Sequence, residues 1–412
     1  MSAHSEDLDR PEAGVRRRHL LFGGAAAGVG ALAAVGAQLA GQTQTVAPAA
    51  APDANGSETV PFHGARQAGV GTDAQAHGVF VALDLQPGTT PQRVKALLKL
   101  LSDDAANLTQ GKAALADTEG ELALRPARLT VTFGFGSALV DVVAPRRRPA
   151  WLKDLPAFSV DRLVPEFTGG DLLLQICGDD PLTMAHAQRM LLKDSRSFTS
   201  VRWVQTGFRR AYGTEKPGTT MRNLFGQVDG TTNPSAGTGH FEEVVYGTDA
   251  IPAWTQNGTS LVIRRIRMNL DKWDELDRSG REESVGRKLS NGAPLTGTTE
   301  HEEPDFAAVN PVGFPVIAEF SHLRRARPDD ETQRIFRRAF NYDAAPTSGA
   351  VSDSGLIFVS YQADVERQFV PIQRRLDELD LLNEWTTPVG SAVFAIPPGC
   401  QPGGFIGDQL FT

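Results

Sequence analysis

The chain has 412 residues, 41% apolar and 22% charged, the balance of a globular protein of two or three domains rather than of a disordered chain. Its formal charge of −8 argues against a general nucleic-acid partner, since nucleic-acid binders are normally basic. Two cysteines, Cys177 and Cys400, are too few for a disulfide framework and lack metal-type spacing; they read as buried thiols, with a single bridge left open.

At the N-terminus, Arg16-Arg17-Arg18-His19-Leu20-Leu21 precedes an Ala/Gly-rich apolar run ending near Gln38. A basic region, a modest hydrophobic region and small-residue cleavage sites at Val35-Gly36-Ala37 or Gln38-Leu39-Ala40 make 1–40 a signal peptide. Paired arginines before a weakly apolar segment point to the twin-arginine route, with the twin-arginine translocase as export partner and a secreted or extracytoplasmic destination. A membrane anchor is the weaker reading, because the run is rich in Gly and Ala. Twin-arginine export carries folded proteins and so favours chains that acquire a cofactor beforehand. Residues 41–60 are rich in Ala, Pro and Thr and are expected to form a disordered linker.

The folded part begins with a buried strand over Val79–Leu85. Thr90 then caps a helix with Pro91 at its first position and Val94, Leu97, Leu98 and Leu101 on one face. Strands follow at Arg128–Phe135 and Asp171–Cys177, a helix from Asp180-Pro181 to about Arg196, and a strand at Val201–Arg209. The order β-α-β-β-α-β is that of the ferredoxin-like split unit. A similar order recurs: a strand at Leu261–Leu270, helical stretches around Asp271–Leu276 and Glu282–Leu289, strands at Ile335–Tyr342 and Gly355–Gln362, a helix carrying Phe369, Ile372, Leu376 and Leu379, and a last strand at Ser391–Ile396. The expected fold is α+β with two ferredoxin-like halves, 61–225 and 226–412. A Gly/Thr/Asn-rich connection from Gly226 to Ile251 opens the second half, and long connections of this kind often carry function.

That connection reads Gly226-Gln227-Val228-Asp229-Gly230-Thr231-Thr232-Asn233-Pro234. The glycines let the backbone turn tightly against a flat ligand and leave the Asp229 carboxylate projecting from the bend. Asp-Gly is also an ordinary turn pair, so the motif alone leaves a plain turn open. Among the histidines no two share zinc-like spacing. His186 lies on a predicted helix and reads as structural; His63, His77, His240 and His301 read as solvated loop residues. His322, in Ser321-His322-Leu323-Arg324-Arg325-Ala326-Arg327, is either a surface residue or a single axial ligand to a cofactor whose carboxylates need arginines.

Taken in order, Gly226-x-x-Asp229-Gly230, Ser321-His322-x-Arg324, Arg334-Ile-Phe-Arg337-Arg338-Ala-Phe-Asn-Tyr342, Gly355-Leu-Ile-Phe-Val-Ser-Tyr-Gln362 and Gly390-Ser-Ala-Val-Phe-Ala-Ile-Pro-Pro-Gly399 resemble the dye-decolourising peroxidases, in their secreted bacterial subgroup, from about Phe62 to the C-terminus. The resemblance implies two ferredoxin-like halves around one haem b. It implies His322 as iron ligand, Asp229 as distal acid–base group and Arg337 as distal arginine, with adjacent Arg338 as the alternative. Phe358 would line the distal face, and Gly226, Gly230, Thr231, Thr232, Asn233 and Arg324 would border the cofactor, the threonines, Asn233 and Arg324 near its propionates. Relatives often carry an aromatic and a lysine at Gln227 and Val228, which are expected to face away from iron.

The implied chemistry is coherent. Peroxide must lose a proton from the oxygen that binds iron, and that proton must reach the departing oxygen; one carboxylate performs both transfers. An arginine supplies fixed positive charge where the O–O bond polarises. A carboxylate titrates below a histidine, so activity at acidic pH is expected. The substrates would be hydrogen peroxide and a phenolic, dye or other small-molecule reductant. Trp273, Tyr342, Tyr361 and Trp385 are candidates for carrying electrons to the surface, but aromatics at such positions read first as core packing. Two other readings stand beside the peroxidase: a deferrochelatase-like haem-handling protein of iron uptake, and a non-catalytic α+β binding module.

Overall fold

A computed structural model describes residues 55–247, 252–328, 330–346 and 349–412; the expected signal peptide and most of the expected linker lie outside them. Of that linker, 55–60 are described, and they are tied to the body: Ala127 N donates to Gly56 O and Arg128 N to Glu58 O. Among the described residues no helix is long and apolar enough to cross a membrane.

The first half runs β1 (His77–Leu85), α1 (Pro91–Leu108), β2 (Thr130–Phe135), α2 (Ser137–Val143), β3 (Leu172–Gly178), α3 (Pro181–Ser195) and β4 (Thr199–Phe208). Thr90 caps α1 by accepting from Arg93 N, and Asp180 caps α3 by accepting from Thr183 N; each cap satisfies an N–H that the first helical turn leaves unpaired. After α4 (Gly239–Tyr246) the second half runs β5 (Thr259–Met268), α5 (Leu270–Asp274), α6 (Arg278–Val285), α7 (His322–Ala326), β6 (Phe336–Arg337), β7 (Phe340–Ala344), β8 (Asp353–Gln362), α8 (Val370–Leu379) and β9 (Thr386–Ile396).

All pairings between named strands are antiparallel, in the order β4-β1-β3-β2 in the first half. In the second half, β6 and β7 pair with β8 in one continuous register (Phe336 with Tyr361, Phe340 with Ile357), so they act as a single strand, and the order is β9-β5-β8-β6/β7. Both halves therefore have the fourth-first-third-second order of the ferredoxin-like unit. They join through single residue pairs, Phe135 with Ala395 and Phe208 with Asn341, so the pairings return on themselves.

Strand alternation sorts the side chains onto two faces. On β1, Phe80 and Ala82 join an inner cluster with Phe340, Ile357, Val359, Leu261 and Phe394, while Val79, Val81 and Leu83 meet α1 and α3 on the outer face. Each Leu, Val or Phe fully buried this way contributes about 1.5–3 kcal/mol. The cysteines are free and buried, so no bridge forms. Three expectations change. His77 is not a loop residue but opens β1, paired with Gly178 and Phe208, and His240 lies in α4 rather than in a loop. His322 begins a short helix where the sequence shows only a polar segment.

Candidate active site

The second half's outer sheet face carries a cavity. Its floor includes Ile266 and Arg264 of β5, Leu356 and Phe358 of β8 and Arg337 of β6; α7, α8 and the Asp229 loop complete the lining.

Local bonding fixes the Asp229 loop. Asn223 Oδ1 accepts from Phe225 N (3.1 Å) and Gln227 N (3.3 Å), and Arg222 reaches Gly226 O (2.8 Å) and Leu289 O (2.7 Å), closing a hairpin. Asp229 N donates to Met221 O at the hairpin's end (2.8 Å). Gly230 follows at φ +130°, a conformation that an L side chain rarely adopts. Asp229 Oδ1 accepts from Arg337 Nη1 at 2.7 Å, and Oδ2 accepts from Asn223 Nδ2 at 3.3 Å. Asn233 clamps the arginine's backbone: its Nδ2 donates to Arg337 O (2.7 Å) and its Oδ1 accepts from Arg337 N (3.0 Å).

Strand alternation decides between the two arginines. Arg337 points to the cavity, whereas Arg338 points to the inner face, 2% exposed, bonded to Thr72 O and Gln75 Oε1. Arg338 therefore does not meet Asp229.

His322 stands at the first position of α7. Gly286 ends α6 at φ +86°, and a Cβ there would lie 3.1 Å from Leu323 Cβ, so a glycine lets α6 approach α7 this closely. His322 Nδ1 shares a hydrogen with Asp380 Oδ2 across 2.6 Å, and Asp380, the residue after α8, also accepts from Leu382 N (3.0 Å) through Oδ1. The Asp380 side chain is 4% exposed and that of His322 32%, so the carboxylate is enclosed and the ring borders the cavity. Burial works against a charged imidazole, but the Asp380 carboxylate outweighs it and holds His322 above the ordinary imidazole range. Among the described residues nothing bonds Nε2.

Sequence reasoning missed Asp380: it lies 58 residues from its partner, in an ordinary acidic helix end. It also missed Arg264. That side chain is 1% exposed and paired with Asp161, yet its Nε and Nη1 are buried with no acceptor. Arg327 and Arg334 line the cavity as well. Arg324 does not: it donates to Phe306 O (3.1 Å) and Ile317 O (3.2 Å). Thr231, Thr232, Gly230 and Phe358 line the cavity, while Gly226 and Asn233 line its neighbour. Thr231 Oγ1 meets Glu300 Oε1 at 2.9 Å. Gln227 and Val228, expected to face away, contribute to the wall, with Gln227 Nε2 held on Arg281 O (3.2 Å). Trp273, Tyr342 and Tyr361 are buried and Trp385 is half-buried.

Comparison with known proteins agrees with the fold. Family models for the N-terminal and C-terminal regions of the Dyp-type peroxidases match residues 67–209 and 220–401. The chain is 37% identical over 424 residues to a dye-decolorizing peroxidase of Thermobifida fusca (strain YX), covering 98% of each. It is 34% identical over 406 residues to a deferrochelatase of Escherichia coli (strain K12), covering 94% of each. A crystal structure of a DyP-type peroxidase from Cellulomonas bogoriensis superposes with a TM-score of 0.84 at 51% identity, covering 86% of this chain and 99% of that one. The chain belongs to the DyP-type peroxidases and is a haem-dependent peroxidase enzyme.

Proposed function

We propose that the cofactor is haem b, held through His322, and that Asp229 and Arg337 use hydrogen peroxide to oxidise phenolic, dye or other donors. The observation that carries this reading is that the Asp229–Arg337 pair and the Asp380-held imidazole border one cavity. Haem suits the donor set: one imidazole with Nε2 unbonded, apolar walls, and buried guanidinium donors of Arg264 that lack an acceptor a propionate would supply. Arg327 and Arg334 suit the second propionate. Bound there, haem would supply a redox-active iron.

The chain's own groups supply the rest. Asp229 Oδ2, held only by the longer Asn223 bond, takes a proton from one peroxide oxygen and returns it to the other. Arg337, its backbone fixed by Asn233, keeps positive charge beside that transfer. Asp380 accepts the Nδ1 proton, which fixes the tautomer and leaves Nε2 as the nitrogen that would hold the iron. Because a carboxylate stays ionised at pH values where an imidazole is protonated, turnover is expected to persist at acidic pH; loss of turnover as pH falls through the histidine range counts against it. The decisive test is peroxide turnover by Asp229→Ala and Arg337→Ala proteins that retain haem. Loss in one or both identifies the acid–base machinery, and wild-type rates in both overturn it.

The deferrochelatase relative supports a second reading, in which iron leaves haem and the porphyrin survives. That activity gives no evident use to the Asp229–Arg337 pair; iron-free porphyrin accumulating without peroxide would favour it. We further propose export of the folded, haem-loaded protein by the twin-arginine route, on the strength of Arg16-Arg17-Arg18 before a weakly apolar run. Replacing all three arginines with lysine is expected to leave unprocessed protein in the cytoplasm.

A further inference from the structure

Among the described residues that line the cavity, Val160 alone precedes Asn223. It belongs to the connection between β2 and β3. Antiparallel neighbours such as these need only a tight turn between them. The connection instead leaves the first half, runs beside β9 and returns: Arg162 N donates to Pro388 O (2.9 Å), Val164 N to Val389 O (2.9 Å) and Gly169 N to Ser391 O (3.0 Å). Its other end is held by Trp151 and Leu152, which sit in the first half's core.

Between those fixed ends the chain is held mainly by one carboxylate. From Lys153 to Asp161, Phe158 is the one buried side chain, its ring centre 5.5 Å from the Arg264 guanidinium. Asp377 of α8 ties the stretch down: Oδ2 accepts from Ser159 N (3.0 Å), and Oδ1 accepts from Ser159 Oγ (2.8 Å) and Val160 N (3.0 Å). Asp161 adds a pair with Arg264 at the cavity's floor. Lys153 and Glu366 form an exposed ion pair, which is worth little in water. Burial pulls Arg264 below the ordinary guanidinium range while Asp161 and then Asp377 oppose it, so both carboxylates of this region act on one cavity residue. A stretch tied by solvent-facing hydrogen bonds opens at lower free-energy cost than the continuously paired sheet beneath it.

We propose that residues 153–161 are a gate for haem, with Asp377 as its latch: the stretch lifts from α8 to let the cofactor in or out and closes again over the cavity. The gate rests on the haem reading of that cavity. The latch bonds only protein groups, so it favours the closed state equally with the cavity full or empty. Breaking it speeds haem uptake and haem loss by the same factor and leaves affinity unchanged, because a bias that does not distinguish the loaded from the empty protein cannot shift the binding equilibrium.

Haem loss is read by transfer from the loaded protein to excess apomyoglobin, and uptake by stopped-flow mixing of haem with the haem-free protein, both followed at the Soret band. Asp377→Ala removes three hydrogen bonds to a charged acceptor and is expected to raise both rates roughly tenfold or more. Asp377→Asn, which keeps an acceptor at Oδ1, gives a smaller rise in both. In the haem-free protein, amide hydrogen exchange at Ser159 and Val160 quickens in Asp377→Ala, a change that lost contacts to haem could not produce. Rates equal to wild type overturn the gate, and so does a change in one rate without the other, which would make the stretch a passive wall. If Asp377→Ala does not fold, Asp377→Asn decides on the same two rates. A wild-type chain that takes up no haem sinks the haem reading and the gate with it, whereas normal uptake that Asp377→Ala leaves unaltered sinks the gate alone.

Discussion

The two halves build the same four-stranded sheet and cover its outer face in different ways. In the first half α1 and α3 lie directly on the strands, and Leu97, Leu98, Leu101, Met190 and Leu191 fill the space against Val79, Val81, Leu83 and Ile176. In the second half the segment between β5 and β6 replaces the first helix with α5, α6, α7 and loops, and Ile266, Leu356 and Phe358 border a cavity instead of a packed layer. The strand order therefore does not make the site; what is laid over the strands does. The covering segment also carries His322, and the helix that remains, α8, ends at the residue that holds it, Asp380.

If that contrast is right, equivalent damage to the two halves separates cofactor binding from stability. His322→Ala has the largest effect: haem affinity, read by Soret titration, falls by more than the roughly 10–100-fold that losing an outer-shell partner costs. The melting temperature of the haem-free protein stays put, and unchanged haem uptake would show the imidazole to be misassigned. Leu98→Ala, in the packed half, costs about 2–5 kcal/mol of stability by chemical denaturation and leaves the haem spectrum alone. A spectral change as large as the stability change would mean the halves are not separable. Asp380→Asn comes next, lowering haem affinity roughly 10–100-fold, since an amide anchors the imidazole less firmly than a carboxylate. Affinity equal to wild type would reduce Asp380 to a helix-end cap.

The packed half was the more legible from sequence because its signals are local. Thr90-Pro91 and Asp180-Pro181 announce caps, and the Leu97/Leu98/Leu101 spacing announces a buried face. In the second half, alternation along one strand decides between Arg337 and Arg338, but only once the pairing with β8 is known, because the residues on either side do not reveal which face is inner. Asp229 and His322 sit in recognisable motifs, whereas Asp380 and Arg264 are joined to the cavity wall by partners distant in the chain, His322 and Asp161. Arg324 shows the opposite failure. It shares a motif with His322, but the helical turn of α7 points it to Phe306 O and Ile317 O, away from the cavity.

The smallest effect tests whether the packed half is as inert as it looks. Asp104 of α1 faces Asp194 of α3, and each has a buried Oδ2 with no donor unless the two share a proton. Burial raises Asp104 most, the Leu115 N bond to Oδ1 (3.0 Å) opposes, and Asp194 and Asp103 add to the rise, taking the carboxyl from 3.8 to about 6. Below about pH 4 both the folded and the unfolded chain hold this proton, and the pair costs nothing. Between 4 and 6 the unfolded chain ionises first, so stability falls as pH rises, and above 6 the whole penalty, about 1–3 kcal/mol, is present. Asp104→Asn keeps the acceptor for Leu115 N and gives Asp194 an N–H donor at every pH. Its denaturation free energy should therefore match wild type near pH 4 and exceed it by about 1–3 kcal/mol near pH 7.5. A variant less stable than wild type at both pH values would mean that the two carboxyls share no proton.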